Sequence, residues 1–463
     1  MMKDIQNRNW AVDSVIYQIF PDRFCNGDLS NDPPHLESWG NKPTTDNFFG
    51  GDLKGIQTKL DYLVDLGIDC IYLNPIFKAA TNHRYDTVDY YQIDPALGSN
   101  SEFKEFIKAL HDRGIKLILD GVFNHCSNQN SAFLDVVDHG KNSKFLDWFT
   151  INSLPISVNP LNYATCGGCF YLPKLNHANP QVVQCLLDVG TFWLREYGID
   201  GWRLDTPQRV PKDFWKKFRH ETRKASPDCY LVGEFWRESS EWVREGIFDG
   251  CTNYPLRELI IAFFSERSLD AEDFSYEIES LLSRLDSAGY TMINLLGCHD
   301  TPRIRTIFGA EDQDLISAIV FQMTFIGIPL VYYGDEIGMT GGRDPDCRRT
   351  MEWDDSKWNK QIHTLYKNLI GIRKQHQSLR KGSFQPLAAF DSFFAFKRQI
   401  GNEEIIVLVN PGPAVVDIRI PPQSDKSEWI SLLSPEIKYQ TEDGYLILDR
   451  FKRNDWLILL GKL

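Results

Sequence analysis

The stretch GWRLDTPQ, residues 201–208, reads as a short strand that runs out of an apolar segment and stops at a proline. Side chains two apart on a strand share a face, so Arg203 and Asp205 point the same way. A guanidinium beside a carboxylate at a strand end is, taken alone, an ordinary rim ion pair worth little. What it means depends on the strands that surround it.

Seven further runs of this kind occur, at 14–21, 70–77, 115–125, 230–236, 248–254, 292–300 and 328–338. Amphipathic stretches separate them: Ile56, Leu60 and Leu63 share one helical face, as do Phe103, Phe106, Ile107 and Leu110. Eight strand-plus-helix units predict an α/β fold, a (β/α)8 TIM barrel over residues 1–125 and 180–382, with reactive groups at the C-terminal strand ends. Residues 126–179 are rich in Asn, Ser, Pro and Gly and show little periodicity before a helical pattern at 180–197. They predict an excursion domain after the third strand, over the barrel mouth. From 383 to 463 the pattern turns to alternation with turn signals, as in FFAFKRQIGNEEIIVLVNPGPAVVDIRI (393–420), which predicts a C-terminal antiparallel β-sandwich.

Composition narrows the partners. A net charge of -13 and the lack of any basic run argue against nucleic acid, whose binding draws on clustered Lys and Arg. No apolar stretch reaches membrane-spanning length, and the start MMKDIQNRNWAVDSV lacks a signal-peptide core, so no membrane partner and a cytoplasmic location are expected. Aromatic residues make up 13% of the chain, a share that core packing accounts for first and that hints second at flat apolar ligands such as sugar rings. Most cysteines, such as Cys70, Cys185 and Cys298, lie in apolar runs as small hydrophobes. Cys166 and Cys169 form one C-x-x-C without the second ligand pair that a zinc site needs.

In the predicted barrel, Asp120 ends the third strand in DGVFNH, Glu234 the fifth in VGEFW and Asp300 the seventh in LGCHDTPR. With Asp205, four acids converge on one rim, where mutual repulsion needs a compensating role. Glycosidic cleavage supplies one, since it requires a protonated carboxyl beside an ionised one. A metal-dependent hydrolase is disfavoured because no H-x-H stands at a strand end.

In these stretches and their order, the sequence resembles the alpha-amylase family of glycoside hydrolases over nearly its whole length. The resemblance implies retaining cleavage of alpha-glucosidic bonds. Asp205 would be the nucleophile, Glu234 the general acid and base, and Asp300 the group that binds sugar hydroxyls and stabilises the transition state. Arg203 would be the charge partner of the nucleophile, and His125 and His299 would hydrogen-bond the donor-side sugar. His83 and Tyr85 in NHRYDTVDYY match the donor-side pair, with the Tyr ring stacking on the sugar. LPKLN (172–176) and GGRDPDCRR (341–349) are similar to the neopullulanase, cyclomaltodextrinase and maltogenic amylase group. There Asp344 and Arg348 would bound the donor side, and Trp236 would be an acceptor-side platform.

CNGDLSND (25–32) followed by FGGDL (49–53) is an oxygen-rich loop suited to a hard cation. The resemblance implies structural Ca2+ held by Asn26, Asp28, Asn31, Asp32, the Gly50 carbonyl and Asp52. Two departures from the group stand out. Its members carry an additional N-terminal β-domain that swaps over the partner's active site in a dimer. Here the first barrel strand begins near residue 14, so a more open cleft is expected and the usual dimer is not. After the nucleophile this chain has Thr206, Pro207, Gln208 and Arg209 where the group continues with small residues, Asn and Glu. The expected function is hydrolysis of alpha-1,4 bonds in cyclodextrins, maltooligosaccharides, pullulan or starch, with some transglycosylation and with alpha-1,6 cleavage open. A glucosyltransferase or isomerase on the same scaffold is the alternative, and a non-catalytic partner subunit is disfavoured by the full set of acids.

Overall fold

The computed structural model describes residues 10–309, 312–421, 428–433 and 437–462. In chain order the strands of the first part are β1 (Ile16–Ile19), β2 (Cys70–Leu73), β3 (Phe77–Ala79), β4 (Thr87–Ile93), β5 (Lys116–Gly121), β6 (Gly201–Leu204), β7 (Tyr230–Gly233), β8 (Gly250–Cys251), β9 (Ile293–Leu295) and β10 (Ile328–Tyr332). β3 and β4 form an antiparallel hairpin. The other eight make one parallel sheet in the order β8-β7-β6-β5-β2-β1-β10-β9. A parallel bridge from Thr252 to Ile293 brings its two edges together, so the sheet is a nearly closed barrel, as the eight runs predict.

Alternation along the strands builds two cores. Ile16, Cys70, Tyr72, Ile118, Val232, Ile293 and Leu330 pack together inside the barrel. Tyr17, Ile19, Ile71, Leu117, Leu119 and Leu231 belong to the larger core shared with the helices. The predicted helical faces bury as expected, with Ile56, Leu60, Leu63, Phe103, Phe106, Ile107 and Leu110 all within this core. The helix starting at Pro180 runs to Phe192 and ends in a π-turn over Trp193–Tyr197.

Three features differ from the sequence expectation. The sixth run yields only a two-residue strand, because Asn253 caps the helix Tyr254–Ile261 by accepting from the Leu256 amide. Asp300 lies on the loop beyond β9, not at a strand end. The hairpin β3/β4, unforeseen, carries Tyr85 on its connection.

After β5 the chain makes a long excursion that holds a helix, Ser131–His139, and is otherwise tied by isolated bridges such as Ile151 to Tyr163 and Thr165 to Pro173. One bridge, His125 to Lys174, anchors it directly at the barrel mouth.

The C-terminal strands are β11 (Ser383–Phe390), β12 (Phe393–Ile400), β13 (Glu403–Val409), β14 (Val415–Ile420), β15 (Glu428–Leu433), β16 (Gln440–Glu442), β17 (Tyr445–Phe451) and β18 (Trp456–Lys462). They form two antiparallel sheets, β11-β12-β13-β18-β15 and β14-β17-β16. Phe393, Ala395, Ile406 and Leu408 of the larger sheet pack against Val415, Ile418, Leu446 and Leu448 of the smaller, which is a sandwich core. The other face of the larger sheet covers the barrel: Phe394 meets Phe274 at 5.4 Å and Phe396 meets Phe321 at 5.6 Å.

Candidate active site

Parallel register sets Asp120 of β5 beside Arg203 of β6, and Leu204 beside Gly233 at the end of β7. Arg203 therefore sits between two strands that each present an acid. Its Nη1 donates to Asp120 Oδ1 at 2.9 Å and to Asp205 Oδ1 at 3.0 Å, and its Nη2 lies 2.7 Å from Glu234 Oε1. One buried guanidinium thus holds three carboxyl groups from three strands. The ion pair read from GWRLD is present, and it is part of a larger cluster.

Thr206 completes this arrangement. Its N–H donates to Glu234 Oε2 at 3.1 Å and its hydroxyl to Asp205 Oδ2 at 3.2 Å. To aim both groups the residue takes φ 39° and ψ 50°, a left-handed conformation that costs a β-branched residue about 1–2 kcal/mol. Burial pushes the Glu234 carboxyl up to about 8, with the Arg203 charge opposing and Asp205 and Asp300 adding. Burial likewise raises Asp120, to about 6. Glu234 is therefore a carboxylic acid at neutral pH, able to give a proton.

A second layer of hydrogen bonds fixes the orientation of Asp120 and the histidines. Tyr72 and Tyr85 both donate to Asp120 Oδ2, at 2.6 and 2.8 Å. The Tyr85 hydroxyl accepts in turn from Asn74 Nδ2 at 3.1 Å and lies 2.7 Å from His299 Nε2. Gln18 Nε2 donates to Asn74 Oδ1 at 3.0 Å and lies 2.8 Å from His299 Nδ1. Because Gln18 occupies Nδ1 as a donor, the His299 proton sits on Nε2, between the Tyr85 hydroxyl and Asp300 Oδ2 at 3.1 Å. Burial, then the Arg348 and Arg203 charges, hold His299 far below its ordinary range, so it is neutral. The Tyr85 and His299 rings stack at 5.5 Å and 7°.

His125 gives its Nε2 proton to Tyr85 O at 3.1 Å, and burial lowers its pKa. His83 accepts the Tyr85 N–H on Nδ1 at 3.1 Å and is lowered to about 4, chiefly by burial. The three histidines thus serve as neutral hydrogen-bonding groups around the acids.

Asp300 joins the cluster through His299 and through another arginine. Arg348 Nε donates to His299 O at 2.9 Å, Nη2 to Asp300 Oδ1 at 3.1 Å, and Nη1 pairs with Asp344 Oδ1 at 3.0 Å. Asp344 is thus linked to the acids through Arg348. Trp236 is 48% exposed and lies flat on Tyr254 at 4.0 Å and 13°, leaving its outer face open. Gln18, Tyr72, Asn74 and Tyr254 escape the sequence reading, which marks Thr206 only as a departure from the group. The polar Gln18 inside the run IYQI is the one local signal that could have flagged this layer.

The N-terminal loop fits a cation in part. The buried Asn26 Oδ1 and Asn31 Oδ1 have no hydrogen-bond partner. Gly50 has φ 76°, and a Cβ there would come within 2.5 Å of Asp32 Oδ1, so this loop packs without room for a side chain. These four residues offer oxygens of the type a hard cation takes. The Asp52 carboxylate instead caps the helix Leu53–Thr58, accepting from Gly55 N at 2.6 Å and from Asp28 N at 2.8 Å. Asp28 Oδ1 is engaged by Ser30 Oγ at 2.6 Å. Among the described residues no three His, Cys, Asp or Glu side chains converge as a metal cage. Cys166 and Cys169 are free thiols.

The alpha amylase catalytic-domain family matches residues 18–360. A cyclomaltodextrinase of Thermoanaerobacter pseudethanolicus is 48% identical over 404 residues, which cover 87% of this chain and 70% of the relative. Neopullulanase 2 of Thermoactinomyces vulgaris is 42% identical over 435 residues, 92% of this chain and 74% of the relative. Among solved structures, the cyclic alpha-maltosyl-(1→6)-maltose hydrolase from Arthrobacter globiformis matches with a TM-score of 0.90 and 36% identity, covering 98% of this chain and 99% of that chain. The matched span contains nearly all of the barrel and every acid that Arg203 and Arg348 gather, so the chain belongs to the alpha-amylase family of glycoside hydrolases.

Proposed function

We propose that this enzyme hydrolyses short or cyclic alpha-glucans by a retaining mechanism. Asp205 attacks the anomeric carbon while Glu234 gives its proton to the leaving oxygen. Glu234 then takes a proton from the water that opens the glycosyl-enzyme. Asp300 and the neutral His125 and His299 hold the donor-side sugar, with His83 and Tyr85 beside them, Asp344 and Arg348 bounding that side and Trp236 offering its free face to the acceptor. The observation that carries this reading is the sharing of Arg203 by Asp205 and a protonated Glu234. One guanidinium keeps the two carboxyls close together, which supports the retaining reading over the wider spacing of an inverting enzyme.

The names of the relatives support cyclodextrins, pullulan and maltooligosaccharides as the substrates to try, with alpha-1,6 bonds included because the Arthrobacter globiformis enzyme acts on a (1→6)-linked ring. The test is chromatography of the products from cyclodextrin, pullulan and starch, with Asp205→Asn as the control. The variant should lose at least about a thousandfold in kcat with an unchanged melting transition. A rearranged disaccharide as the sole product, or full activity in the variant, would overturn the proposal.

We further propose a structural Ca2+ in the loop of Asn26, Asn31, Asp32 and Gly50, supported by the two orphaned amide oxygens. A cytoplasmic location is supported by ten cysteines that are all free, as a reducing compartment keeps them. Among the described residues, no helix is long and apolar enough to cross a membrane.

A further inference from the structure

The loop that carries Arg348 towards the acids turns the next residue, Arg349, the other way. There it borders an open groove of about 380 Å3 with Trp39, Thr340, Thr350, Glu352 and Lys357 among its walls. Trp39 is 39% exposed although its indole N–H is already satisfied, donating to Met351 O at 2.9 Å. The next residue is pinned as well, with Gly40 N donating to Thr350 Oγ1 at 3.0 Å. The indole is thus held by its N–H, and part of the side chain is exposed along the groove.

The charges around it cancel. Arg349 Nε and Nη2 pair with Asp346, each at 2.9 Å, and Lys357 pairs with Glu352 at 3.0 Å. An ion of either sign finds no unbalanced partner there. A neutral, hydroxyl-rich ring does, because its apolar face can lie on the indole while its hydroxyls meet Thr340, Thr350 and the outer edges of the ion pairs. A volume of about 380 Å3 is in the range of small-molecule sites.

We propose that this groove is a second saccharide site, which holds a glucan segment apart from the one being cut, with Trp39 as its platform. The proposal rests on the glucan hydrolase reading for the choice of ligand. Arg349 lines the groove while its neighbour Arg348 holds Asp300, so a chain held in the groove is kept close to the acids without occupying them.

Maltoheptaose titrated calorimetrically into the Asp205→Asn protein, which cannot turn it over, should show two classes of site. Adding Trp39→Ala should remove one class, weakening it by about tenfold or more, whereas Trp39→Phe, which keeps a ring but not the anchoring N–H, should weaken it less. Thr340→Trp, at an exposed position, should block the groove without touching the anchor of Trp39 and gives the same readout if the alanine variant folds poorly. A single class of site in the Asp205→Asn protein, or two classes surviving both Trp39→Ala and Thr340→Trp, overturns the proposal. Failure of the unmodified enzyme to cleave maltoheptaose would instead count against the hydrolase reading, and the number of sites would still stand.

Discussion

Replacing Glu234 with Gln should destroy catalysis and stabilise the fold, increasingly so as the pH rises. The Glu234 carboxyl stands at about 8 in the folded enzyme against 4.5 for a free Glu, mainly because burial disfavours its charge. The folded protein therefore keeps a proton that the unfolded chain releases. Stability from this proton is fully present below about pH 4.5 and is lost as pH rises through about 8. At about 1.4 kcal/mol per pH unit, roughly 3 kcal/mol has gone by pH 7 and about 5 above pH 8. Gln has nearly the same shape and no proton to release, so it escapes this loss. For a chain of 463 residues melting as one unit, about 1 kcal/mol corresponds to about 1 °C. Scanning calorimetry of variant and parent from about pH 5 to about pH 8.5 should show the melting-temperature gap widening by about 3–4 °C in favour of the variant. A gap that stays constant, or narrows with rising pH, would refute a protonated Glu234. The unmodified enzyme should also lose kcat/KM along an alkaline limb near pH 8, since its acid must hold the proton.

Thr206→Gly should leave stability in denaturant titrations within about 1 kcal/mol of the parent, relief of the left-handed backbone being offset by the lost hydroxyl bond and the looser unfolded chain, while kcat falls because Asp205 loses its hydroxyl donor. Trp236→Ala should lower the ratio of transfer to hydrolysis products and weaken acceptor-side binding by up to about tenfold, read by product analysis over increasing acceptor concentration. Removal of Ca2+ by a chelator should lower the melting temperature by about 3 °C if the cation is present at about a hundred times its dissociation constant, and elemental analysis should find it beforehand. An unchanged transition with no metal detected would remove the calcium assignment.

The barrel was readable because each strand is a compact apolar run followed by an amphipathic helix, and because alternation sends Ile118 inward while Leu117 and Leu119 face the helices. Asp120, Asp205 and Glu234 were readable because one acid at a strand end is ordinary whereas several converging on one rim are not, and because their motifs stand in the family's order. The layer behind them was not. Tyr72 sits in the apolar run CIYL and reads as core, and only its closeness to Asp120 across two paired strands gives its hydroxyl a purpose. Asp344 shows the opposite limit: its motif was legible, but its link to the acids runs through the Arg348 fork, which no sequence spacing specifies. The loop position of Asp300 depends on where β9 stops, a matter of pairing with β10 rather than of local pattern.

The strand β12 takes part in two cores at once, giving Phe393 and Ala395 to the sandwich and Phe394 and Phe396 to the barrel. The C-terminal sheets are therefore not a portable module that can be exchanged between relatives at a loop. A chimera joined just before β11 would need a donor sheet whose outward face matches Phe274 and Phe321, or the graft would leave a strip of aromatic surface bare on each half. Recombination within the family is thus constrained by the barrel-facing Phe394 and Phe396 as well as by the acids at the barrel mouth.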